Sequence, residues 1–89
     1  MVEIAFYPSF IKNFKKRTKN NGILLEKFAE KLNIFKNNPF DPRLKTHKLT
    51  GELKDLYSFS IDYDLRIIFC FYESNKVIFT DIGTHDEVY

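Results

Sequence analysis

An α+β fold, with two helices packed on one face of a small four-stranded mixed or antiparallel sheet, is the arrangement the sequence predicts. Three features predict it. Apolar residues alternate strictly near the start, then recur at three- and four-residue intervals, and finally concentrate in runs rich in β-branched and aromatic residues. A sheet with one apolar face and helices with one apolar stripe bury those surfaces by packing together in two layers.

Val2, Ile4 and Phe6 alternate with Glu3, Ala5 and Tyr7, the two-residue period of a first strand. Pro8 lacks an amide hydrogen and suits an initial helical turn, and Phe10, Ile11 and Phe14 form a short apolar stripe beside lysines. Asn20, Asn21 and Gly22 interrupt that helix. Leu25, Phe28, Leu32 and Phe35 then recur at helical intervals through about Lys36, so a second amphipathic helix follows. The short interruption places it antiparallel beside the first. Pro39 and Pro42 end the helical pattern and open a loop that runs through His47 to Gly51. From Leu53 onward, Leu56, Tyr57, Phe59 and Ile61 read as one strand, Leu65 to Tyr72 as a second and Lys76 to Ile82 as a third. Glu73, Ser74 and Asn75 supply the turn between the last two. The predicted order is therefore strand, helix, helix, strand, strand, strand.

The chain has 89 residues, which predicts a single domain over residues 1–89 and excludes a dinucleotide fold of two halves or a (β/α)₈ barrel. Ten Phe and five Tyr against three Gly and three Pro argue for an ordered globular chain. The single cysteine, Cys70, provides neither an internal disulfide nor a cysteine-based metal site. No apolar run approaches the length of a membrane span and none resembles a secretion signal, so the expected location is cytoplasmic. The net charge of +2 says little about partners, but its distribution is uneven. Lys12, Lys15, Lys16, Arg17 and Lys19 follow one another without an intervening acid, and Lys45, Lys48, Lys54 and Arg66 lie further along. Such a surface suits phosphate, but equally an acidic partner or plain solvation.

The candidate chemistry lies in a few residues. His47 falls in the long loop and His85 just beyond the last strand, outside the strong apolar periods, where an imidazole can give or take a proton near neutral pH. Local chemistry by itself favours a surface or hydrogen-bonded role for each, and neither has the companions of a metal site. Asp64 and Arg66 share one face if their strand starts early enough, as a simple ion pair or as a proton acceptor and a stabiliser of phosphoryl charge. Tyr89 offers a ring for stacking, a hydroxyl, or a cover for the sheet edge. Neither a Gly-rich phosphate loop nor a nucleophile elbow is present.

Three runs carry a family resemblance: His47-Lys48-Leu49-Thr50-Gly51-Glu52-Leu53-Lys54, Asp64-Leu65-Arg66-Ile67-Ile68-Phe69, and Asp81-Ile82-Gly83-Thr84-His85-Asp86-Glu87-Val88-Tyr89. Together with the order of elements they make the sequence similar to the RelE/ParE superfamily of toxins, in particular to its YafQ-like branch of messenger-RNA endonucleases. The resemblance implies a toxin of a type II toxin–antitoxin system, held by a cognate antitoxin and, when free, cutting messenger RNA in the ribosomal A site without a metal or other cofactor. It implies catalytic roles for His47, Asp64, His85, Arg66 and Tyr89, with Lys45, Lys48 and Lys54 on RNA phosphates. With an antitoxin so implied, the basic run of Lys12, Lys15, Lys16, Arg17 and Lys19 is a candidate contact for antitoxin or ribosome, and operator DNA is expected to be reached only through the antitoxin. Ser60 departs from the pattern, standing where YafQ-like toxins commonly carry a histidine. The alternatives are a ParE-like inhibitor of DNA gyrase, or a weakly active homologue acting mainly through its antitoxin.

Overall fold

The computed structural model describes residues 1–51 and 55–89. Strand β1 (Glu3–Phe6) leads into helices α1 (Pro8–Thr18) and α2 (Gly22–Asn37). A single 3₁₀ turn (Pro42–Leu44) precedes β2 (His47–Lys48), β3 (Tyr57–Ser60), β4 (Leu65–Glu73) and β5 (Lys76–Thr84), and the chain ends in the short helix α3 (His85–Val88). The sheet order is β1-β5-β4-β3-β2, with β1 parallel to β5 and every other pair antiparallel. The α+β class, the order of the long elements and the mixed sheet are those expected. The sheet nevertheless has five strands rather than four, because His47 and Lys48 leave the loop to pair with Ser58 and Tyr57. The four residues after β5 add a helix to the expected order.

Local chemistry explains the boundaries. Pro8 stands at the start of α1, and Lys15, Lys16 and Arg17 in its last turn complement the negative end of the helix dipole. Asn20 takes a left-handed conformation (φ 57°) that asparagine tolerates. The side chain of Asn21 then caps α2 by accepting from the Leu24 amide at 3.0 Å. Asp41 caps the 3₁₀ turn, accepting from the Arg43 amide at 2.9 Å and from its guanidinium. The hydrogen bonds from Arg43 hold the Asp41 carboxyl down at about 2, against an ordinary value of 3.8. This turn buries Leu44 completely and delivers the chain to β2.

The core fills one face of the sheet. Phe35 of α2 is wholly buried, its ring centroid 4.7 Å from that of Phe59, 4.9 Å from Phe69 and 5.3 Å from Phe79. Leu65, Ile67 and Phe69 of β4 and Val77 and Phe79 of β5 join this cluster, and Phe10 of α1 closes it at the β1 end. Phe14 and Phe28 pack the two helices together at 4.6 Å. The stripe on α2 begins at Leu24 and not at Leu25, which is 48% exposed. Both leucines fit the helical interval to Phe28, and the one whose side chain turns toward the sheet is buried. Ile11 likewise lies outside the core, 40% exposed beside the buried Phe10.

Candidate active site

Strand alternation builds the site on the face opposite the core. Phe59, Leu65 and Ile67 point into the helix layer, so their neighbours Ser58, Ser60 and Arg66 point the other way. Across the strands His47 stands opposite Ser58, and Ser58 opposite Ile68. A second row runs Ser60, Arg66, Gly83. Side chains in one row share a face and lie close enough to touch.

Helix α3 brings Tyr89 onto this face. Thr84 and Glu87 form a reciprocal capping box, in which the Glu87 carboxylate accepts from the Thr84 amide at 2.8 Å. Arg17 of α1 donates to the same carboxylate oxygen. Gly83 makes room for the helix: a Cβ there would lie 2.9 Å from Val88 Cγ1 and 3.1 Å from Glu87 Cβ. These contacts fold the terminus back across the sheet. The Tyr89 hydroxyl reaches the buried Ser58 Oγ, with which it is hydrogen-bonded, and lies 3.3 Å from His47 Nε2. The ring of His85, at the first position of α3, meets the Tyr89 ring edge-on with centroids 4.4 Å apart, and the ring of His47 approaches it to 6.1 Å. Two histidines from remote parts of the sequence thus meet around the terminal tyrosine.

The hydrogen bonds of His47 define its neutral tautomer. Nδ1 lies 3.3 Å from the carbonyl oxygen of Lys45, whose left-handed backbone (φ 54°) ends the 3₁₀ turn. A carbonyl only accepts, so Nδ1 carries the hydrogen and Nε2 offers its lone pair toward Tyr89. His47, Lys48, Leu49, Thr50 and Tyr89 line an open cleft of about 360 Å³.

The remaining candidates lie around this centre. Asp64 sits in the turn before β4, in a second cleft of about 280 Å³ shared with Asp62, Lys27 and Thr84. The strand begins one residue too late for Asp64 and Arg66 to alternate within it. Asp62 holds that turn by accepting from the amides of Asp64 and Leu65 at 3.2 and 3.3 Å. Among the described residues, no hydrogen bond joins Asp64 to either histidine. Asp64 and His85 are nonetheless at the same end of the sheet, each adjoining the Leu65–Thr84 pair that closes the β4–β5 ladder. Arg66 is half-buried, its Nη1 donating to the Tyr63 carbonyl at 3.4 Å. Ser60 lies directly opposite it. Lys45 and Lys48 are exposed beside His47, and Lys54 lies outside the described residues. Lys12, Lys15 and Lys16 on α1 and Lys19 just past its end are exposed, whereas Arg17 is turned to Glu87. Among the described residues, no three His, Cys, Asp or Glu side chains converge as a metal set would. None of their helices is long and apolar enough to cross a membrane.

Two structural partners were not identified from the sequence. Ser58 is a serine in an apolar strand, and nothing in the local pattern distinguishes it from Ser60. Glu87 did carry a signal, since Thr84-His85-Asp86-Glu87 has the spacing of a capping box. The hydrogen bonds from Thr84, and then that from Arg17, hold the Glu87 carboxyl below its ordinary value of 4.5. A carboxyl lowered by folding stabilises the folded arrangement fully above its ordinary value and loses that contribution as pH falls through the lowered one. The terminus is therefore expected to stay docked through pH 4.5 and to loosen only below it. Following the Tyr89 ring resonances by NMR during an acid titration checks this. Glu87→Ala is expected to shift those resonances at neutral pH, and unchanged resonances in that variant would contradict the clamp.

Two N-terminal helices packed on a mixed sheet, with a short helix folded back after its last strand, is the topology expected from the resemblance to the RelE/ParE superfamily. The sequence profile of the bacterial YafQ toxins of type II toxin–antitoxin systems matches residues 2–89, so the chain belongs to that family. Among solved structures it is similar to a metal-bound toxin from Helicobacter pylori, at 28% identity and a TM-score of 0.73 over 100% of both chains. It is also similar to YafQ from E. coli strain BL21(DE3), at 19% identity and a TM-score of 0.79 over 100% of this chain and 99% of that one. The E. coli DinJ–YafQ toxin–antitoxin complex matches at 22% identity and a TM-score of 0.72, over 99% of this chain and 97% of that one. A search of curated proteins found no match.

Proposed function

We propose that this toxin is an endoribonuclease that cuts messenger RNA in the ribosomal A site by attack of a ribose 2′-hydroxyl on the adjacent phosphorus. The observation that carries the reading is the packing of His47 and His85 against the ring of Tyr89, beside the lysine-bearing strand β2. Transesterification of RNA needs a base for the 2′ proton and an acid for the departing oxygen, and imidazoles supply both near neutral pH.

His47 or Asp64 takes the 2′ proton as the 2′ oxygen bonds to phosphorus. The bond to the 5′ oxygen breaks, and His85, entering protonated, gives that oxygen its proton. The products are a 2′,3′-cyclic phosphate and a 5′-hydroxyl. DNA lacks the attacking group and is not a substrate. Arg66 offsets the charge that grows on the phosphoryl oxygens, and Tyr89 presents its ring and hydroxyl to the nucleotide. Lys45, Lys48 and Lys54 hold phosphates on either side. No step is assigned to a metal or other cofactor.

The similar E. coli YafQ forms a complex with DinJ, and a cognate antitoxin is proposed for this chain on that likeness. The exposed lysines of α1 suit an acidic antitoxin tail or ribosomal RNA, and operator DNA is reached only through the antitoxin. The setting of such a reaction is the cytoplasm. Primer extension on translating ribosomes with antitoxin-free protein tests the proposal. Breaks confined to A-site codons, and lost when antitoxin is added, are expected. Absence of breaks, with inhibition of gyrase supercoiling in a parallel assay, would replace it with the ParE-like alternative.

A further inference from the structure

We propose that Ser58 is a positioning residue, which orients the Tyr89 hydroxyl so that the terminal tyrosine and His47 act as one hydrogen-bonded unit. As regards catalysis this rests on the ribonuclease reading above; as regards the orientation of His47 it rests on geometry alone. Ser58 is the one polar or charged side chain among the described residues that is buried. Its Oγ is hydrogen-bonded to Tyr89 Oη, in the same sheet row as His47 and on the face that carries the cleft. A buried hydroxyl without a partner is costly, so the contact stabilises both the strand and the docked terminus.

The polarity of the chain follows from its far end. The Lys45 carbonyl accepts from His47 Nδ1, so Nε2 of the neutral ring has only a lone pair to offer. Tyr89 Oη must then donate to Nε2 and accept from Ser58. Every member is defined by its neighbour: the carbonyl at Nδ1 and the phenol at Nε2 together hold the tautomer, and the serine donates to the phenol oxygen so that the phenol hydrogen points to the ring. Without Ser58 Oγ the phenol is free to rotate away, and the imidazole loses the donor that marks its Nε2 as the acceptor. A phenylalanine at position 89 would keep the ring contacts with both histidines and lose the unit altogether. Nitrogen-linked tuning of this kind is how a second partner fixes which imidazole nitrogen faces the substrate.

Ring ¹⁵N NMR of His47 tests the proposal without reference to activity, in the full chain and in the Ser58→Ala and Tyr89→Phe variants. Neutral His47 is expected to be the Nδ1–H tautomer in the wild type and to become a mixture in both variants. In A-site cleavage, Ser58→Ala is expected to cost about 3- to 10-fold in the rate of the chemical step and to add less than about 2-fold on top of Tyr89→Phe, since coupled residues are non-additive. An Nε2–H wild-type ring, or a tautomer indifferent to Ser58→Ala, would overturn the proposal. So would a Ser58→Ala loss of the same size in the Tyr89→Phe background, because a merely structural role is not routed through that hydroxyl. If the tautomers respond as expected while the wild-type protein cleaves no RNA, the ribonuclease reading fails and the positioning of His47 by Ser58 and Tyr89 stands.

Discussion

His85→Gln is expected to slow A-site cleavage by about 10²- to 10⁴-fold, the usual contribution of a positioned acid or base, without unfolding the protein. Glutamine keeps the length and the hydrogen-bonding capacity of the side chain but cannot deliver a proton. His85 is exposed at the first position of α3 and its ring touches Tyr89, while the helix is held by the Thr84–Glu87 box and by Arg17. The fold therefore does not depend on the imidazole. Single-turnover kinetics on programmed ribosomes separates the loss of chemistry from a loss of binding: the rate at saturating toxin falls, and the concentration for half-saturation stays nearly constant. A variant that cleaves at the wild-type rate would remove His85 from the mechanism.

The largest effect on stability is expected at Phe35, where truncation to alanine should cost about 3–5 kcal/mol. Phe35 is the hub of the core, fully buried against Phe59 of β3, Phe69 of β4 and Phe79 of β5. Removing its ring opens a cavity beneath three strands at once and detaches α2 from the sheet. Domains of this kind have a total stability of about 5–15 kcal/mol, so Phe35→Ala approaches the unfolding threshold. Urea denaturation checks the value. Leu25→Ala is the internal control, since Leu25 projects from the same helix into solvent, and a comparable loss in both variants would contradict the packing described.

How much of this was legible in the sequence depended on how many residues carry each signal. The long strands and both long helices have several periods of apolar repeat and were readable. Strand β2 has two residues and exists only because His47 and Lys48 find Ser58 and Tyr57; a pairing that short has no period of its own. Helix α3 was hidden for a similar reason, although the Thr84 and Glu87 spacing foreshadowed its start. Leu24 and Leu25 fit the helical interval to Phe28 equally well, and only tertiary contact distinguishes them.

The site divides in the same manner. His47, His85 and Tyr89 could be nominated as residues of the right chemistry, but their meeting depends on the terminus folding back over Gly83, a long-range event. Asp64 was nominated with them and lines a separate cleft between the start of α2 and the turn before β4. Arg17 was grouped with the α1 lysines as a contact for partners, yet its guanidinium ties α1 to the helix that carries Tyr89. Ser58 has no sequence signal because its importance lies in burial and in the partner it meets.

The central claim, that the tyrosine-centred histidines perform RNA transesterification, is tested most directly by the chemistry of the cut ends. Messenger RNA fragments released from programmed ribosomes by the antitoxin-free toxin can be analysed by mass spectrometry. Attack by the 2′-hydroxyl predicts a 2′,3′-cyclic phosphate on the upstream fragment and a 5′-hydroxyl on the downstream one. A 3′-hydroxyl paired with a 5′-phosphate, the signature of attack by water with the opposite bond broken, would contradict the account.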